Sequence, residues 1–142
     1  MQKGPITTMK PLKITLGVIA VVQFVFGVLF VFLPGQFAPI FHLPVAPTWV
    51  NWLLVMGGAR FLGMGYGMLV AIQDPIKHRA WINAMIGVQA LDWLATIYSL
   101  VTGAISLSQA STATFLPVLF IAALLVFYPR SQPAAQKQPE LA

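Results

Sequence analysis

Residues 49–72 read WVNWLLVMGGARFLGMGYGMLVAI, and residues 80–102 read AWINAMIGVQALDWLATIYSLVT. Both are apolar throughout, and each carries a single formal charge near its middle, Arg60 in the first and Asp92 in the second. A hydrocarbon core about 30 Å thick is crossed by about 20 helical residues, and both stretches reach that length. Residues 14–33 and 110–128 are of the same kind and hold no formal charge. Unpaired backbone is not tolerated against lipid, and runs of this length without a period of two do not suit barrel strands. The sequence therefore predicts an all-α fold, a four-helix transmembrane bundle in a single domain over residues 1–130. Residues 131–142, rich in Pro, Gln and Ala, read as a disordered cytoplasmic tail. Pro117 should either kink the fourth span or mark its first turn.

The composition agrees. Of 142 residues, 58% are hydrophobic and 8% charged, whereas soluble domains carry about a quarter charged residues. The net charge of +5 does not indicate nucleic acid, because its basic residues fall in the pattern of a membrane protein. Lys3, Lys10 and Lys13 precede the first span, Lys77 and Arg79 lie between the second and third, and Arg130 and Lys137 follow the fourth. All seven lie at one end of the bundle, while the loops 34–48 and 103–109 hold no Lys or Arg. Both termini are expected in the cytoplasm. The first span is too long for a signal peptide and lacks a small-x-small cleavage site, so it reads as an uncleaved anchor. Trp49 and Trp52 at one interface, with Trp81 and Tyr128 at the other, match aromatic belts.

No cysteine is present, which excludes disulfides, thiol redox chemistry and thiolate metal sites. The two histidines, His42 and His78, are expected on opposite sides of the membrane, so no metal site is predicted. A nucleophile elbow and paired carboxylates are also lacking, and catalysis is not expected. The loop 34–47, with four prolines, Phe37 and Phe41, is either a stiff connector or a cap on the bundle.

A charge at the bilayer centre costs roughly 2.5 to 3.5 kcal/mol on insertion scales, so Arg60 and Asp92 need partners. The short link between their spans implies an antiparallel hairpin with the two charges at similar depth, and hence a bidentate Arg60–Asp92 contact. Gln89, Asp92, Thr96 and Ser99 recur at intervals of 3, 4 and 3 and should share one inward stripe. Gln23 should reach the depth of Gln89 and join one buried polar network. Trp93 and Tyr66 are candidates to line a ligand site beside the charged pair. Ala59, Gly63 and Gly67 form a small-xxx-small ridge for helix packing or dimerisation.

The segment Gly58-Ala59-Arg60-Phe61-Leu62-Gly63, followed by Gly67, resembles the Arg-x-x-Gly helix of small four-span bacterial proteins grouped as DoxX-like. An aspartate in the third span is a softer match, and the Arg or Lys pattern associated with the first span of that group is not found. The resemblance implies a bacterial inner-membrane protein with an accessory role in oxidative or respiratory metabolism, and it transfers no catalytic residue.

Three functional readings follow. The first is a non-enzymatic accessory or structural subunit in which Arg60 and Asp92 fix helix register, within a larger complex or a homo-oligomer. The second is a small transporter or proton-coupled carrier that uses the two charges. The third is a membrane enzyme subunit that binds a quinone or a lipid.

Overall fold

A computed structural model describes residues 9–130, so the tail expected at 131–142 lies outside the described residues. These residues fold into α1 (Lys10–Phe32), a 3-10 turn (Pro34–Gln36), α2 (Phe37–Ile40), α3 (Val50–Gln73), α4 (Arg79–Val101) and α5 (Leu107–Val126), with no strand among them. Four of these helices, α1, α3, α4 and α5, are long and apolar enough to cross a membrane, as in a multi-pass integral membrane protein.

Two ends of the predicted spans shift for local reasons. The first helix starts at Lys10 rather than residue 14, because Pro11 needs no intrahelical N–H partner in a first turn. The last starts at Leu107 rather than residue 110. Gln109 reaches back from the third helical position, and its Oε1 accepts the Ser106 backbone N–H at 2.9 Å, half of a capping box. Pro117 consequently lies inside α5, not in its first turn.

The helices run up and down in turn. Packing is tightest between α1 and α3, then between α4 and α5, and the two pairs meet more loosely along α3–α4 and α1–α5. The α1–α3 seam closes on glycines. A Cβ on Gly27 would fall 2.7 Å from Leu62 Cγ, and one on Gly58 would fall 3.0 Å from the Gly27 carbonyl. Small residues let membrane helix backbones approach where lipid removes any hydrophobic drive between them. Of the predicted ridge, Gly67 lies under the Trp81 indole, whereas Ala59 and Gly63 face outward and nothing lies within 4 Å of a Cβ on Gly63.

The large, fully buried side chains gather at one end. Leu12, Leu16, Ile19, Met68, Ile82, Met85 and Leu124 are fully buried, and all lie towards the end that carries the chain termini. Apolar side chains such as Val21, Val25, Leu91, Leu94 and Leu119 point outward, where lipid would cover them. At the terminal end the turn after α3 is set by Asp74, whose Oδ1 accepts the N–H groups of Ile76 at 3.1 Å and Lys77 at 3.0 Å.

At the loop end α4 stops in a Schellman motif. Gly103 (φ 72°) donates to the Leu100 carbonyl and Ala104 to the Ser99 carbonyl. Gly103 occupies the left-handed region, so Gly103→Ala should lower stability by about 1 kcal/mol, read as a fall in Tm of the detergent-solubilised protein.

Candidate functional site: a cavity with a polar floor

The loop half of the bundle is hollow. A cavity of about 640 Å³ lies between the helix pairs, bordered by α1, α3, α4 and α5 and roofed by the segment that follows α1. Its upper wall is aromatic. Phe26 and Phe30, one helical turn apart on α1, meet Phe37 and Phe41, one turn apart across α2. Phe30 and Phe37 pack edge to face at 4.8 Å, and Phe26 stacks on Phe41 at 6.2 Å. Phe61 of α3 closes the cluster at 5.4 Å from Phe30. The proline-rich loop therefore folds back as a cap. It is tied to the opposite helix pair by Gln109, whose Nε2 donates to the His42 carbonyl at 3.0 Å. His42 holds a φ of 53°, a left-handed conformation uncommon outside glycine, in which Asn, Asp and His are the enriched side chains.

The floor is polar. At about 1.5 Å per residue, Arg60 lies about 15 Å from the Val50 end of α3, and Asp92 lies about 14 Å from the Val101 end of α4. They meet there, with Arg60 Nη2 donating to Asp92 Oδ1 at 2.9 Å and to Oδ2 at 3.0 Å. One nitrogen is shared by both oxygens, in place of the two parallel bonds of a fork, while the guanidinium carbon lies 5.8 Å from the Phe61 ring centroid. The pair borders the cavity, and its side chains are 53% and 36% exposed, so it is not sealed within protein. It stands where α3 and α4 pack loosely.

Gln23 and Gln89 border the same cavity at similar depth and are 3% and 7% exposed. Gln23 Nε2 donates to the thioether of Met85 at 3.5 Å, a weak bond, and its Oε1 is buried with no partner among the described residues. Thr96 also borders the cavity, but its hydroxyl donates to the Asp92 carbonyl of its own helix at 2.8 Å.

The remaining predicted residues lie elsewhere. Ser99 donates to the Ala95 carbonyl at 2.9 Å and is not on the cavity wall. Trp93 faces α5, where its indole N–H donates to the Thr114 carbonyl at 3.0 Å. Tyr66 is 62% exposed on the outside of α3. No cluster of metal-ligating side chains occurs among the described residues.

No family model, curated protein or solved structure matches the chain.

The phenylalanine walls and the Gln109 tether went unread in the sequence. The i, i+4 spacing of Phe26 with Phe30 and of Phe37 with Phe41 was the signal that could have shown them.

The chemistry available follows from these parts. Arg60 and Asp92 cancel each other's charge, and no other formally charged residue lines the cavity. Two amides supply hydrogen bonds beside them, and aromatic rings supply apolar contact above. Convergent polar groups in an apolar hollow of about 300 to 1,000 Å³ are the usual form of a small-molecule site. The arrangement has the room and the polar groups to take a small molecule.

Proposed function

We propose that this protein is a non-enzymatic membrane protein that binds an amphipathic small molecule, of the quinone or lipid class, in its loop-side cavity. The observation that carries this reading is the hollow itself. A bundle packed fully at one end and open at the other, with aromatic walls above a charge-paired floor, is costly to maintain without an occupant. The exposed sides of Arg60 and Asp92, where α3 and α4 pack loosely, offer a route from the bilayer. We also assign the terminal end to the cytoplasm of a bacterial inner membrane, supported by Lys10, Lys13, Lys77, Arg79 and Arg130 at that end and by the DoxX-like resemblance.

Native mass spectrometry after gentle extraction tests the binding reading. The expected result is a discrete added mass that is lost in Gly57→Leu. A Cβ on Gly57 meets only Phe30 Cδ2 at 3.8 Å, so leucine has room to fold and then fills the cavity. A wild-type spectrum with no retained mass, or a retained mass unaffected by Gly57→Leu, would reject the reading.

Orientation has its own test, because the chain lacks cysteine. Val45→Cys, at a 94% exposed loop position, should label with an impermeant maleimide added outside intact cells. Ile76→Cys, in the turn at the other end, should label only after lysis. The reverse pattern would invert the assignment.

A further inference from the structure

We infer that the occupant of the cavity is a neutral amphiphile whose head is a hydroxyl, read by the side-chain amides of Gln23 and Gln89. This rests on the ligand-binding reading above and narrows it to one head chemistry.

Charge comes first. The floor has one cation and one anion already bonded to each other at 2.9 and 3.0 Å, so a charged head would find no free counter-ion. Depth points the same way. Gln23 lies about 14 Å from the Phe32 end of α1 and Gln89 about 18 Å from the Val101 end of α4, so the polar groups sit near the bilayer centre. A molecule that enters between α3 and α4 must bring its head to that depth through hydrocarbon. A charged headgroup resists this strongly, whereas a hydroxyl crosses at far smaller cost.

Hydrogen bonding then selects among neutral heads. Gln23 Oε1 is an acceptor with no donor, buried in the least favourable place for one. The side chain borders the cavity, and its terminal torsion is soft. Rotation about that torsion surrenders only the 3.5 Å contact with Met85 sulfur. An occupant that donates a proton to Oε1 satisfies it, and an acceptor-only head such as a ketone or an ether does not. Gln89, on α4 across the bundle, offers an amide N–H to the lone pairs of the same oxygen. A hydroxyl is the smallest head that donates and accepts at one atom. The aromatic wall of Phe26, Phe30 and Phe61 above it favours a ring next to that hydroxyl.

The probes are 4-octylphenol and its O-methyl ether, which share ring, tail and acceptor oxygen and differ by a methyl group in place of the donor hydrogen. Binding to the purified full chain is followed by thermal shift and by native mass spectrometry. The phenol is expected to bind at least about tenfold more tightly than the ether, as leaving a buried acceptor unmet implies. In Gln23→Met, which removes the acceptor at similar volume and relieves an unpaired buried oxygen, that preference should vanish. Equal binding of the two probes to wild type would overturn the inference, and this comparison needs no variant to fold. A preference that persists in Gln23→Met would overturn it as well. If both probes bind equally and Gly57→Leu excludes both, the cavity still binds ligands and only the hydroxyl assignment fails. If neither probe binds wild type, the hydroxyl inference falls with the ligand-binding reading beneath it.

Discussion

Gly58→Val should destabilise the protein by about 3 kcal/mol, at the upper end of the usual overpacking cost. A Cβ at position 58 would stand 2.8 Å from Val31 Cγ2, 2.9 Å from Phe30 Cβ and 3.0 Å from the Gly27 carbonyl oxygen. The last two neighbours are a backbone atom and an atom bonded to backbone, so no rotamer change clears them. Helices α1 and α3 must separate, and Phe30 leaves the aromatic wall as they do. The control lies on the same helix. Gly63→Val introduces the same side chain where nothing lies within 4 Å, and it should leave stability within about 0.5 kcal/mol of wild type. Denaturant titration of both variants in one detergent makes the comparison. Similar losses at both positions would show that helix propensity, not the seam, sets the cost.

The second large effect concerns the charged pair. Arg60→Gln and Asp92→Asn each leave one charge without its partner near the bilayer centre, and each should cost about 2.5 to 3.5 kcal/mol. The double variant should cost less than either single one, since it leaves neither charge behind. That inversion is what separates a coupled pair from two independent polar side chains, whose effects would add. The same variants bear on ligand binding. A single variant gives the cavity a net charge and should weaken a neutral probe, while the double variant should restore much of the affinity.

The four long helices were legible because bilayer thickness leaves few alternatives for apolar runs of 20 residues or more, and Arg60 with Asp92 was legible because a short link between antiparallel helices fixes relative depth. The packing seam was harder to read. The spacing of four singles out Ala59, Gly63 and Gly67, with Gly57, Gly58 and Gly65 adding only small-residue density. Gly58 and Gly65, spaced by seven, also return to within about 20° of one face, and both are buried against α1. Trp93 was grouped with Asp92 as its chain neighbour. Adjacent helical residues diverge by about 100°, and Trp93 turns to the Thr114 carbonyl in the turn before Pro117. The cavity is the least legible feature, because a void depends on how four faces fail to meet.

The uneven packing of the bundle also separates what folds the chain from what the chain recognises. Residues such as Leu16, Ile19, Met68 and Met85 hold the terminal half together and border none of the cavity. Substitutions at Ala95, Thr112 or Ala113 reshape the hollow without touching that half. Descendants of this scaffold are therefore free to change what they accommodate by exchanging a few wall residues, with the closed half as a constant foundation.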